Sequence, residues 1–218
     1  MSGPVKFKVC GLTVSTDAAL AADAGADYLG FILHPGSPRH LSLRDFEALV
    51  PKLPARPKVA VSVEPSVEDL EAMRAAGFDF FQIHFDGIAN EERLRAWSRT
   101  VGRERLWLAP RLAPPSDVPN DVLAAADCIL LDTFQEDAFG GSGRTGDWEK
   151  FSRHQAAHPG HQWILAGGLN PENVAQAVRR TGAQLVDVSS GVEASPGRKD
   201  PAKVQKFAEN LRRATGFE

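Results

Sequence analysis

Two side chains able to exchange protons, Cys10 and Asp132, stand at matching points of the sequence. Each directly follows a short apolar or β-branched run, Val5–Val9 in one case and Cys128–Leu131 in the other. Thiols and carboxyls are common proton carriers in acid–base chemistry. Both also have a plainer reading: a free cysteine is often a small buried hydrophobe, and an aspartate after a strand often caps the next turn. Further polar groups recur at similar points. Arg39 closes the stretch Pro35-Gly36-Ser37-Pro38-Arg39, and Gln82 and His84 end a fourth apolar run. A glycine-rich segment at 140–146 includes Gly141 and Arg144. Gly167 and Gly168 follow a seventh run, and Ser189, Ser190 and Gly191 an eighth.

The elements that must position these groups alternate along the chain. Strands are expected at Val5–Val9, Tyr28–Leu33, Lys58–Val63, Phe80–Ile83, Leu106–Ala109, Cys128–Leu131, Trp163–Leu165 and Leu185–Val188, separated by amphipathic helical stretches. Ser42 and Ser66, each followed by an acid three residues on, mark helix starts, and Asn170-Pro171 fits an N-cap with proline at the first helical position. A weak repeat supports the same organisation. Ala24-Gly25-Ala26-Asp27-Tyr28, Ala76-Gly77-Phe78-Asp79-Phe80 and Thr181-Gly182-Ala183-Gln184-Leu185 each read as helix end, turn and strand, with Ala126-Asp127-Cys128 between the second and third. Four such quarters give eight strand–helix units. With right-handed crossovers these close into a (β/α)8 barrel, a TIM-barrel α/β fold of eight parallel strands and outer helices, expected to be one domain over residues 1–218. An open dinucleotide-binding sheet is disfavoured, because Cys10-Gly11-Leu12-Thr13 replaces the glycine-rich turn after the first strand.

In such a barrel the working groups sit at strand C-termini and in the loops after them. Cys10, Arg39, Gln82, His84 and Asp132 then face one mouth, where Gln82 and His84 read as substrate contacts or as groups that only satisfy backbone partners and pack the barrel. The segment with Gly141 and Arg144 reads as a lid with a basic tip or as a plain surface loop. The loops after strands seven and eight, with Gly167, Gly168, Ser189, Ser190 and Gly191, are where barrels often hold phosphate through backbone N–H groups. A phosphorylated small molecule is the expected ligand. For Gly167 and Gly168 the simpler alternative is relief of a tight turn.

Composition narrows the remaining possibilities. Apolar residues at 43% and charged residues at 24% are those of an ordinary globular protein. A net charge of −3 with dispersed basic residues argues against nucleic-acid partners and an anionic membrane surface. No apolar run approaches the roughly 20 residues of a membrane span, and the N-terminus lacks a secretory pattern, so a cytoplasmic location is expected. Cys10 and Cys128 belong to no paired-cysteine motif and read as reduced thiols, Cys128 as core packing. His34, His40, His154, His158 and His161 have no accompanying ligand set and read as solvated side chains, not a metal site.

Six motifs in order, KVCGLT at 8–13, PGSPR at 35–39, LLDT at 130–133, GGSGRTGDW at 140–148, LAGGLNPENV at 165–174 and VDVSSGVEASPGRKDP at 186–201, resemble those of the phosphoribosylanthranilate isomerase family. The resemblance runs from about Lys6 to about Leu211. It implies an isomerase of tryptophan biosynthesis that needs no cofactor and converts N-(5-phosphoribosyl)anthranilate to 1-(2-carboxyphenylamino)-1-deoxyribulose 5-phosphate by an Amadori rearrangement. It assigns Cys10 as general base and Asp132 as general acid, Arg39 to the anthranilate carboxylate, and Gly168, Ser190 and Gly191 to the phosphate loops. The family contains monomers and homodimers, and the sequence leaves that choice open.

The implied chemistry makes opposite demands on its two groups. Cys10 must lose its proton, helped by dipoles or a nearby cation, and Asp132 must keep one near neutrality. Four positions depart from the family pattern: Ser62 where phenylalanine is common, Glu64 where asparagine is common, Phe85 after His84 where glycine is usual, and Arg144 for a lysine. These bear on the shape of the aromatic pocket and on lid contacts. Two other functions fit the barrel. One is the related aminoaldose isomerase of histidine biosynthesis, which uses aspartate at the Cys10 position; the other is a non-catalytic phosphosugar-binding barrel.

Overall fold

Alternation of residues facing in and out dictates the architecture. The computed structural model describes residues 3–87, 90–112, 116–132 and 147–216. Strands β1 (Lys6–Val9), β2 (Tyr28–Ile32), β3 (Lys58–Val63), β4 (Phe80–Asp86), β5 (Leu106–Arg111), β6 (Cys128–Leu131), β7 (Gln162–Leu165) and β8 (Leu185–Val188) pair in chain order. Every pair is parallel, and β8 returns to β1 along the register Lys6–Leu185 to Val9–Val188, closing a (β/α)8 barrel. Helices α1 (Ser15–Asp23), α2 (Leu43–Leu49), α3 (Val67–Ala75), α4 (Glu91–Val101), α5 (Asn120–Ala125), α6 (Trp148–Ala157), α7 (Val174–Thr181) and α8 (Pro201–Thr215) follow the strands in turn. Among the described residues no helix is long and apolar enough to cross a membrane.

The period of two along each strand sorts side chains into two cores. Phe7, Val9, Leu29, Phe31, Phe81, Ile83, Phe85, Leu106, Leu108, Ile129, Trp163, Leu165, Val186 and Val188 face outward into the layer beneath the helices. The alternate positions fill the barrel interior with Val59, Val61, Trp107, Cys128, Leu130, Ile164 and Leu185. Tyr28, Phe80 and Trp107 pack edge-on and tilted at centroid distances of 5.0–5.5 Å within it. Since Lys8, Cys10, Gln82, His84 and Asp187 occupy inward positions of β1, β4 and β8 or their ends, the same alternation brings polar groups to one mouth.

The helix starts follow their caps. Ser42 accepts from the Asp45 N–H, and Ser66 forms a reciprocal capping box with Asp69. At Asn170-Pro171 the outcome differs from expectation: the Asn170 side chain accepts from the N–H groups of Glu172 and Asn173, but this turn precedes a helix that starts at Val174. Strand β4 continues past Ile83 to Asp86, because β5 runs beside it through Pro110 and Arg111. His84 is therefore inside the strand. The sequence pattern also missed a two-stranded hairpin after the eighth strand, β9 (Glu193–Ser195) with β10 (Arg198–Lys199), turned at Gly197 with φ +77°.

Candidate active site

Cys10 lies one residue beyond β1 and is held by its backbone on both sides. Its N–H donates to the Val188 carbonyl at 2.8 Å, and its own carbonyl accepts from the Lys199 Nζ at 2.6 Å and the Ser189 hydroxyl at 3.2 Å. The thiol packs on Gly30 of β2, where a Cβ would come within 3.0 Å of Sγ. Only 4% of the residue is exposed. Burial pushes the thiol above its ordinary value, with Lys8 pulling it down and Asp187 pushing it up. The free protein therefore carries Cys10 chiefly as a neutral thiol, although the implied chemistry requires a thiolate.

Beneath Cys10 lies a polar chain that crosses the barrel. Lys8, fully buried, donates to the Gln82 carbonyl oxygen, pairs with Asp187 at 3.2 Å and sits 5.8 Å from the Trp107 ring centre. Burial works against the Lys8 charge, but Asp187 and Cys10 outweigh it and the ammonium is retained. The Gln82 amide nitrogen is 2.8 Å from His84 Nε2. Burial, then Lys8 and His34, push His84 down to about 4, so its ring is neutral near pH 7. A neutral ring that accepts at Nε2 carries its proton on Nδ1. Both ends of the Gln82 amide are thus engaged inside the barrel. Asp187 lies largely buried, burial pushing its carboxyl up while Lys8 draws it back.

A second ionic cluster forms on the other side of Cys10. Arg39 crosses Gly11, whose φ is +75° and where a Cβ would lie 2.5 Å from the arginine Cδ. Its Nε and Nη2 donate to the two Glu193 oxygens at 2.9 and 2.7 Å. Lys199 Nζ donates to the same carboxylate at 2.9 Å, and the Gly197 N–H adds a contact at 3.3 Å. Burial alone would push Glu193 up, but Arg39 and Lys199 hold it below its ordinary value. Sequence reasoning gave the bidentate edge of Arg39 to a ligand carboxylate, and the structure gives that edge to Glu193.

The two small-residue loops meet above β7 and β8. Gly167 and Gly168 adopt φ of +88° and +65°, and the Gly168 carbonyl accepts from the Asn173 side-chain amide at 2.9 Å. Ser190 and Gly191 open a single 3-10 turn, Ser190–Val192, and N–H groups in such a first turn have no intrahelical acceptor. The loops touch where a Cβ on Gly191 would fall 1.9 Å from the Leu169 carbonyl oxygen, so only glycine fits. Ser189 turns its hydroxyl to Cys10 instead.

Asp132 follows β6, half-buried, in a small rim pocket that also includes Leu131, Asp147, Lys150, Phe151 and Ala166. It shares the mouth with Cys10, three strand positions around the rim. Gly141 and Arg144 lie outside the described residues. Among the described residues no group of three or more His, Cys, Asp or Glu side chains could hold a metal ion.

The description "N-(5'phosphoribosyl)anthranilate (PRA) isomerase" belongs to the family model that matches residues 7–210. The chain belongs to that isomerase family. A family member from Cereibacter sphaeroides, named N-(5'-phosphoribosyl)anthranilate isomerase, is 40% identical over 215 residues, covering 95% of this chain and 99% of its own. The crystal structure of TrpF from Jonesia denitrificans superposes with a TM-score of 0.78 at 32% identity, covering 98% and 100% of the two chains. A phosphoribosyl anthranilate isomerase solved with reduced 1-(o-carboxyphenylamino)-1-deoxyribulose 5-phosphate superposes at 0.75 with 30% identity, covering 96% and 99%.

Against the isomerase family pattern, the departures fall in different places from those expected. Ser62 and Phe85 both face outward, toward the helices, so neither shapes the barrel interior. Ser62 pairs in register with Ile83, two residues before Phe85, and Phe85 packs on Trp97 at 5.7 Å. A small residue on β3 beside a large one on β4 reads as an exchange of volume between neighbouring strands. Glu64 adopts φ +42°, a left-handed conformation that the isomerases' more usual asparagine tolerates better. Its carboxylate compensates by accepting from the Asp86 N–H and pairing with Arg93.

Sequence reasoning missed Lys8, Asp187, Glu193 and Lys199. The first two were within reach, because residues two positions before Cys10 and Ser189 share their strand face. Glu193 and Lys199 carried no such signal, since the hairpin that brings them back was itself unrecognised.

Proposed function

We propose that this protein catalyses the Amadori rearrangement of N-(5-phosphoribosyl)anthranilate to 1-(2-carboxyphenylamino)-1-deoxyribulose 5-phosphate, with Asp132 as general acid and Cys10 as general base. The observation that carries the reading is the placement of one buried thiol and one half-buried carboxyl on the same barrel mouth, beside two touching glycine loops. Asp132 protonates the furanose ring oxygen, so the ring C–O bond breaks as the anilino nitrogen supplies its lone pair and an iminium forms. The Cys10 thiolate then removes the C2 proton, giving an enolamine that takes up a proton at C1 and becomes the ketose. Groups in such roles typically contribute about 10²–10⁴-fold each.

The N–H groups of Gly168, Ser190 and Gly191 suit the phosphate, and Gly167 supplies the turn that exposes them. Arg39, fixed by Glu193 along one edge, retains Nη1 for the anthranilate carboxylate. Gln82 and His84, paired with each other at 2.8 Å, line the floor of the site, and Gly141 and Arg144 are assigned to the covering loop. The deciding experiment follows the fluorescence of phosphoribosylanthranilate as enzyme consumes it. Parent and Cys128→Ala turn over at similar rates, and Cys10→Ala and Asp132→Asn lose most activity. Turnover of the histidine-pathway aminoaldose in preference to this substrate, or near-normal rates for Cys10→Ala, would overturn the assignment.

A further inference from the structure

Lys8 has no part in the chemistry set out above, yet it is among the most costly side chains in the protein to bury. Its ammonium is fully enclosed in a barrel otherwise lined by aromatic and aliphatic groups. An isolated ammonium in such a place would shed its proton. Two contacts prevent that: the Asp187 carboxylate at 3.2 Å and the Gln82 carbonyl oxygen, with the Trp107 ring 5.8 Å away. Lys8 and Cys10 lie two residues apart along the same strand line, so both side chains enter the interior from the same face. Gln82 in turn is fixed by His84, which prevents the amide from rotating away.

We propose that Lys8 is a positioning residue for Cys10, a fixed cation under the thiol that stabilises the thiolate, with Asp187 and Gln82 present to keep that cation charged and in place. The inference rests on reading Cys10 as the proton acceptor. A buried thiol needs such help, because leaving water disfavours its anion. The charged and titratable groups around Cys10 are Lys8 on its own strand, Asp187 on β8, Lys199 on β10 and Arg39 after β2. Lys8 also faces Cys128 on β6 and His84 on β4. Of the cations, Lys199 is spoken for by Glu193 and the Cys10 and Ser189 carbonyls, and Arg39 by Glu193. Lys8 is the strongest influence opposing the effect of burial on the thiol, and Asp187 acts in the other sense.

The test titrates Cys10 without using turnover. Iodoacetamide alkylates thiolates, and the rate at the Cys10 peptide, read by mass spectrometry between about pH 6 and pH 10.5, gives the midpoint of its ionisation in the intact protein. Lys8→Met raises that midpoint by about one unit or more, which slows alkylation about tenfold at a fixed pH below it. Lys8→Arg keeps the charge and leaves the midpoint near that of the parent. The double variant Lys8→Met/Asp187→Asn removes both members of the buried pair, so it retains the fold if the single variant proves unstable, and its midpoint moves upward by less than in Lys8→Met because the opposing influence of Asp187 is lost too. An unmoved midpoint in both neutralised variants, or an equal rise in Lys8→Arg, overturns the proposal and leaves Lys8 a packing element. Because the readout needs no substrate, failure here is separate from failure of the isomerase reading, which the fluorescence assay tests by itself.

Discussion

Replacing Glu193 with glutamine should expose how much the loop after β8 contributes to stability. The carboxylate is 4% exposed and meets two cations: Arg39, whose side chain is 14% exposed, and Lys199, which is fully buried. Glutamine keeps the size and one acceptor but leaves both cations without a counter-charge. Removing one partner of a buried pair costs about 3–5 kcal/mol. Arg39 can turn toward water, whereas Lys199 cannot leave without giving up the Cys10 and Ser189 carbonyls, so the loss belongs near the lower end, about 3 kcal/mol. For a chain of 218 residues that is a fall in Tm of about 6–12 °C. The pH dependence checks the cause. Glu193 is held below its ordinary value, so its contribution is complete above an unfolded-state value of about 4.3 and drains away as the pH falls through the lower folded-state value. Calorimetry from pH 7 downward should therefore show the gap between parent and Glu193→Gln closing below about pH 4. A Tm within a degree of the parent at pH 7, or a gap that persists unchanged in acid, would refute the argument.

Other expectations follow from the same geometry. Since burial raises the Cys10 thiol above its ordinary value, the rate at which iodoacetamide alkylates Cys10 in the free protein should climb about tenfold per pH unit through neutrality; a plateau by pH 7 would contradict it. Ser62→Phe alone overpacks the outer layer by about 1–3 kcal/mol and Phe85→Gly alone leaves a cavity costing at least about 3 kcal/mol, while the double variant recovers 1 kcal/mol or more of their sum in urea denaturation. Strict additivity would show that the two positions do not share space. Gly191→Ala drives a methyl into the Leu169 carbonyl and separates the two loops, lowering kcat/KM about 10²-fold while leaving the far-UV circular dichroism intact. A kinetically normal variant would remove these loops from the substrate site.

The barrel was legible because two periodicities sufficed for it. Strands such as Lys58–Val63 and Cys128–Leu131 announce themselves through apolar runs bounded by turns, and Ser42 and Ser66 mark helix starts through local hydrogen bonds. The positions of Cys10 and Asp132 just beyond β1 and β6 were legible because apolar runs mark where those strands end. What stayed hidden was pairing at long range. Glu193 reads as one more acid in a glycine-bearing loop until the hairpin brings Lys199 back and Arg39 arrives from a loop 154 residues earlier. His84 was read at a strand end, because a polar residue looks like a turn when the β5 partner beside it is not visible in the sequence. For Ser62 and Phe85, the strand face decides the matter: the departures looked like pocket changes until their outward orientation was known.

The bond from Lys199 to the Cys10 carbonyl spans 189 residues, and the Cys10 N–H depends on Val188 from the last barrel strand. The thiol is made 189 residues before the lysine that fixes its backbone leaves the ribosome. A nascent chain carries Cys10 as an ordinary cysteine while most of the barrel emerges, and the closing of the β1–β8 seam both completes the fold and sets the thiol in place. In this protein the seam that closes the barrel and the residue proposed to take the proton meet at one position.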